Sequence, residues 1–195
     1  MQHLKIKKVQ FFEILFCLLG CGIFGWIYET VFVFIQDGTL TDRGILFVSY
    51  IGEFPIIWGL PFILIYGVGG AILIWAFKPL KKNPILLFIV GLVSMTAFEY
   101  LTAVISEAIL GMKLWDYSDK FMNFQGRICL FTSFMWGLLT LLAVYVFGPV
   151  FHKLYAKLEK KSSAHVGIIH VLLVVLVIYI IVCYLLRPVL FPTMV

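Results

Sequence analysis

The stretch Ile85 to Leu110, ILLFIVGLVSMTAFEYLTAVISEAIL, decides the fold. Its only charged residues are Glu99 and Glu107, and it contains no proline. As a helix it extends about 40 Å, more than the ~30 Å of a bilayer's hydrocarbon core. Working outward, the runs Val9 to Ile35, Leu60 to Phe77, Cys129 to Val150 and Val166 to Leu186 meet the same requirement of about 20 apolar residues. The chain is 63% hydrophobic and 13% charged, with 19 Phe, a composition outside the soluble class. These observations predict an all-α, polytopic transmembrane helix bundle over residues 1–195, one integral membrane domain with about five spans.

Lysines orient the bundle. Lys5, Lys7 and Lys8, then Lys78, Lys81 and Lys82, then Lys153, Lys157, Lys160 and Lys161 fall on alternate sides of successive spans, hence on one face. The positive-inside rule makes that face cytoplasmic, with the N-terminus inside and the C-terminus outside. The same rule accounts for the net charge of +5 without a nucleic-acid partner. Leu18-Leu19-Gly20-Cys21 after three lysines resembles a lipoprotein cleavage site, but apolar character continues through Tyr28, so the segment reads as a retained first span. Cys17, Cys21, Cys129 and Cys183 form no C-x-x-C pair and read as small packing residues.

Two segments depart from simple spans. A single helix from Ile45 to Phe77 would be about 50 Å long. Gly52-Glu53-Phe54-Pro55 and Gly59-Leu60-Pro61 are the available breakers, so Ile45 to Gly59 is expected to be re-entrant or to lie at the surface. A sixth full span is the rival, and it would invert the lysine pattern. In residues 150–161, Phe151, Leu154, Tyr155 and Leu158 share one helical stripe, which predicts an interfacial helix able to meet anionic lipid.

Ionisable groups in or beside spans are costly and mark functional positions. Glu29 follows Cys21 and Gly25 at four-residue spacing, Glu99, Ala103 and Glu107 repeat the arrangement, and Cys129, Ser133 and Gly137 supply a third polar-and-small stripe. Glu99 lies about 12 Å deeper along its helix than Glu107. Arg43, Trp115, Asp116, Asn123 and Arg127 lie toward the same outer side. The expected site is an outward-open cavity walled by Glu29 and Glu107, floored by Glu99 and lidded by Arg43 and the loop from Trp115 to Arg127. The competing structural reading pairs Glu29 with Arg43 and Glu107 with Arg127 as ion pairs that fix helix packing. The last span, rich in Val, Ile and Leu, reads as scaffold.

Other chemistries lack their residues. No G-x-x-x-x-G-K-[ST] motif exists, so nucleotide hydrolysis by the P-loop route is not expected in this chain. His3, His152, His165 and His170 all lie toward the lysine side, away from the outer carboxylates, which argues against a His-carboxylate metal site or a catalytic triad. Neither a cofactor nor a metal is expected.

Gly25-Trp26-Ile27-Tyr28-Glu29, Arg43-Gly44, Pro61 with Ile65-Tyr66-Gly67-Val68-Gly69, Glu99-Tyr100, Glu107, Trp115-Asp116-Tyr117-Ser118, and Asn123 to Leu130 with Ser133 and Trp136-Gly137 form one pattern. It resembles the bacterial membrane family of type IV ABC-transporter permeases over about Gly22 to Leu139. The family usually runs from an N-R-G block directly into G-P-x-x-P-I-Y-G. Here Asp42 replaces the asparagine, and extra apolar residues intervene before Leu60-Pro61. The resemblance implies a multi-pass protein of the bacterial cytoplasmic membrane with a transport role, working with membrane lipids and a separate ATPase or other transporter subunits, and able to form oligomers.

The leading expectation is a transporter permease or substrate-binding membrane subunit. Glu29, Glu99 and Glu107 would bind a cationic or hydroxylated group or carry protons, and Arg43 and Arg127 an anionic group. The alternative is a membrane-embedded enzyme acting on a lipid or lipid-linked substrate at the outer leaflet. There Glu107 or Asp116 would serve as general base, with Arg127 and Asn123 stabilising developing negative charge.

Overall fold

The computed structural model describes residues 2–38, 47–51, 54–111, 113–160 and 163–190. Among them, four helical runs are long and apolar enough to cross a membrane: Gln10–Ile35, Pro84–Ile109, Leu130–Glu159 and His165–Leu186. The first belongs to α1 (Gln2–Asp37), the second to α3 (Pro84–Leu110) and the last to α6 (Ser163–Leu190). The third is composite: α4 (Leu130–Leu142) passes through a π-helical segment, Ala143–Phe147, into α5 (Gly148–Glu159). The segment expected as an interfacial helix thus continues the fourth span.

Between α1 and α3 the sequence reading assigns no strand, and the structure has two. Phe47–Ile51 (β1) and Phe54–Trp58 (β2) pair antiparallel, with Phe47 opposite Trp58 and Ile51 opposite Phe54. Rich in Val, Ile, Phe and Tyr, these strands suit a hairpin, and Pro55 is tolerated because a two-stranded ribbon has only edges. The described part of this segment is therefore a strand hairpin and not a sixth helical span. Gly52 and Glu53, named above as breakers, lie outside the described residues.

The second expected span is also shorter than Leu60 to Phe77. Its helix, α2, covers Leu64–Ala76, 13 residues or about 20 Å, too short to cross alone. Pro61 stops the helix from starting earlier, and the freed backbone donors are satisfied by other elements. Ile63 N–H donates to the Gly22 carbonyl at 3.1 Å, Gly59 N–H to the Tyr179 hydroxyl at 2.9 Å and Leu64 N–H to the Tyr184 hydroxyl at 3.0 Å. Non-helical backbone persists in a membrane protein only when compensated in this way. The last span, α6, is therefore more than apolar scaffold: two of its tyrosines hold the non-helical segment before α2.

The chain forms two compact units, one from Met1–Ala71 with Val150–Met194, the other from Ile72–Pro149. In the first, Leu19, Phe62, Tyr155, Leu173, Ile180 and Cys183 make a buried core. Cys21 and Gly25 do face a neighbouring helix, because a Cβ at Gly25 would collide with Tyr66 and one at Gly70 with Cys21. In the second unit α3 packs on α4 through Gly91 against Thr140 and Gly137 against Phe88. Buried Thr140 donates to the Trp136 carbonyl at 2.8 Å and buried Ser133 to the Cys129 carbonyl at 2.9 Å, so both hydroxyls are satisfied within their own helix.

A polar cluster near the lysine end of the first unit adds a contact that the sequence reading does not anticipate. His152 Nδ1 lies 2.7 Å from Glu13 Oε1, and Glu13 is buried. Tyr155 Oη lies 2.9 Å from His170 Nε2, whose ring stacks on Phe12 at 3.7 Å. His152 thus meets a carboxylate 139 positions away in the chain, one that is not among Glu29, Glu99 and Glu107. No group of three metal-ligating side chains forms among the described residues.

Candidate functional site

The site in the second unit begins where α3 ends. Gly111 stops the helix with φ +68° and returns its N–H to the Glu107 carbonyl at 3.0 Å. Only glycine adopts that conformation without penalty. The chain then turns back along α3 and does not arch above it. Tyr117 Oη donates to Glu99 Oε1 at 3.2 Å, Tyr100 Oη donates to Gln125 Oε1 at 2.9 Å, and Phe124 packs on the Tyr100 ring with centroids 5.7 Å apart. Tyr100 lies about 14 Å below the C-terminal end of α3, measured along the helix axis. The segment expected as a lid is a loop folded down beside the span.

Short-range hydrogen bonds give this loop its shape. Asp116 Oδ1 accepts from the Ser118 backbone N–H at 2.9 Å and from the Ser118 hydroxyl, while Asp116 Oδ2 meets Lys113 Nζ at 2.9 Å. The Ser118 hydrogen bonds, then Lys113, hold the Asp116 carboxyl well below its ordinary range, at about 2. Asn123 donates through Nδ2 to the carbonyls of Ser118 and Lys120, each at 3.0 Å, and accepts from Gly126 N–H at 3.2 Å. Trp115 Nε1 donates to the Arg127 carbonyl at 2.9 Å. Buried Gly126, at φ +68°, packs so tightly that an added Cβ would lie 2.5 Å from both Asp116 Oδ1 and Ser118 Oγ.

Arg127 is the guanidinium this scaffold presents. Its Nε lies 3.2 Å from both Glu107 carboxylate oxygens and its Nη2 is 2.7 Å from Oε2, a bidentate pair. Nη1 donates to Gln125 Oε1, and the guanidinium carbon stands 5.7 Å from the Tyr100 ring centroid. Both partners are about three-quarters covered, with side-chain exposures of 24% and 22%. The Glu107 hydrogen bonds raise the Arg127 pKa above its usual value, so it is always a cation. Glu99, 4% exposed, lies two turns below the pair.

Of the eight residues singled out from sequence, six therefore gather in this unit: Glu99, Glu107, Trp115, Asp116, Asn123 and Arg127. Trp115, Asp116 and Asn123 are loop builders whose polar atoms are turned onto the chain itself. Glu29 sits in the other unit, where Tyr66 Oη donates to its Oε1 at 2.6 Å. Arg43 lies outside the described residues, so its pairing with Glu29 is not described. Sequence reasoning missed Tyr100, Gln125, Ser118 and Tyr66 as partners. Tyr100 and Gln125 stand beside Glu99 and Arg127 in the chain, which was the available signal.

No curated protein and no solved structure matches this chain. A family model described as "Putative ABC-transporter type IV" matches residues 14–184. That match covers the spans and the loop that holds the Glu107–Arg127 pair. The chain is a helical membrane protein that belongs to this transport-related family.

Proposed function

We propose that the protein is a transporter permease or substrate-binding membrane subunit whose polar recess opens away from the lysine face. The observation that carries this reading is the bidentate Arg127–Glu107 pair held beside a span, two turns above the half-buried Glu99–Tyr117 contact. Irregular backbone within the depth of a span is tolerated only against protein or a water-filled cavity. Lys113, Asp116 and Asp119 on the same loop are exposed, so water must reach them. A recess of this kind offers a guanidinium for an anionic group and carboxylates for a cationic or hydroxylated one. The ion pair keeps both charges compensated until a substrate exchanges with one partner.

Lysine placement supports a cytoplasmic N-terminus in a bacterial inner membrane. Energy would come from a separate ATPase, with lipids and further transporter subunits as partners. Enzymatic action on lipid gains little from the geometry: an Asp116 carboxyl held at about 2 is a weak base near neutral pH, and Glu107 is engaged on both oxygens. Comparing uptake and lipid composition in a deletion strain complemented with wild type or Arg127→Ala tests the reading. Loss of uptake with unchanged lipids is the expected result. A covalently altered lipid that depends on Arg127 would overturn transport in favour of the enzyme.

A further inference from the structure

The loop that carries the candidate site has a second side with different chemistry. Phe121, Met122 and Phe124 are 78%, 66% and 55% exposed, a concentration of bare apolar surface in a segment whose other exposed residues are, apart from Leu114, the polar Lys113, Asp116, Ser118, Asp119, Lys120, Asn123 and Gln125. Solvent-exposed loops do not ordinarily collect such residues. The backbone holds them outward at some cost, since Met122 and Gln125 adopt φ +50° and +57°, values that L residues rarely take. The loop's internal hydrogen bonds, from Asn123 to the Ser118 and Lys120 carbonyls, enforce that shape.

Depth identifies what covers the tip. Phe124 rests on Tyr100, which lies inside the apolar run Pro84–Ile109, so the tip is beside the span and not above it. Directly after Tyr100, α3 exposes Leu101, Ile105 and Ile109 at 56%, 54% and 72%, one stripe at four-residue spacing. Past the loop, α4 exposes Phe131, Phe134 and Leu138 at 57%, 50% and 41%. Those stripes belong to runs long and apolar enough to cross a membrane, where an exposed apolar face suits lipid. The tip extends the same apolar surface, and its nearest charges, Asp119 and Lys120, pair with each other at 3.2 Å.

We propose that Phe121, Met122 and Phe124 insert among lipid acyl chains in the leaflet opposite the Lys78–Lys82 turn, so that the loop separates lipid on its apolar side from water on its charged side. This membrane contact does not depend on what the Arg127–Glu107 pair binds. Its occupant is lipid, and a second copy or a partner protein on the tip would be a different outcome.

The test places a nitroxide at residue 121 (Phe121→Cys) in a chain whose four buried cysteines are replaced by alanine, reconstituted in phosphatidylglycerol and phosphatidylethanolamine nanodiscs. Labels at Phe131→Cys and Asp119→Cys provide lipid and water references. Oxygen should relax the residue 121 label more strongly than a water-soluble nickel chelate, as at residue 131 and opposite to residue 119. Preferential relaxation by nickel would put the tip in water, and protection from both agents would put it against protein; either overturns the proposal. Should the cysteine-free chain misfold, Phe121→Trp in the native background serves instead. Brominated lipids should then quench more emission than in the parent protein, and an unchanged quenched fraction would overturn the proposal.

Discussion

Arg127 grips Glu107 through both carboxylate oxygens, with Nη2 to Oε2 at 2.7 Å, across a separation of 20 residues that spans the whole loop between α3 and α4. The pair therefore closes the loop as well as charging it. Replacing either partner alone leaves an ion mostly withdrawn from water, whereas replacing both removes the problem. Arg127→Gln and Glu107→Gln should each lower the thermal midpoint in detergent by several degrees, and the double variant should lie above the sum of the two losses. Additive losses would mean the contact carries no coupling. Under the transport reading, binding or uptake should fall about tenfold in all three variants.

Gly126→Ala should be worse than a typical loop substitution. The residue combines a left-handed backbone with a site where a Cβ meets Asp116 and Ser118. A left-handed conformation alone costs an L residue about 1–2 kcal/mol, and displacing Asp116 adds to that. Thermal unfolding followed by Trp115 fluorescence should report a loss of about 2 kcal/mol or more, with Gly38→Ala, where nothing lies near, costing less.

The loop should resist acid further than an ordinary carboxylate-based turn. Asp116 titrates at about 2 when folded, below the ~3.9 of an unfolded aspartate. Because its folded pKa is depressed, the stabilisation it provides is complete above the unfolded value and is lost as pH falls through the folded one. Trp115 emission should thus hold steady from neutral pH to near 4 and change between about 4 and 2. Asp116→Asn should remove that acid dependence and weaken the loop above about pH 4, with the difference from the parent vanishing near pH 2.

His152→Ala should destabilise the first unit through Glu13. The glutamate is 8% exposed and has its hydrogen bond to His152, so truncation strands a buried carboxylate. A loss of about 1–3 kcal/mol is expected in thermal or denaturant unfolding. Glu13→Gln with His152→Ala should recover part of it, because the amide is less costly to leave without its former partner.

Enlarging the small residues of the helix contact gives a parallel expectation. Gly91→Val inserts carbon where Thr140, fully buried, already packs. Overpacking of this kind costs about 1–3 kcal/mol, and Thr140→Ala should relieve it in the double variant.

Hydropathy was enough to place the four long spans, because a helix must satisfy its own backbone in lipid and needs a fixed length of apolar residues to do so. The small-residue stripes at Gly25 and Gly137 were legible for a similarly local reason, since four-residue spacing stacks side chains on one face. The sequence likewise singled out a short set of ionisable candidates, as few charges occur in so apolar a chain. It could not show that Phe47–Ile51 and Phe54–Trp58 pair as strands, because a short apolar run has no periodicity that separates strand from buried helix. Nor could it show that α2 starts only at Leu64, with Tyr179 and Tyr184 answering the backbone donors before it. Only the tertiary structure decided that the Trp115 to Arg127 loop descends beside α3 to Glu99, and that Glu13 meets His152. Those contacts depend on which distant residues the packed helices bring to the same depth, and nothing in local order encodes that.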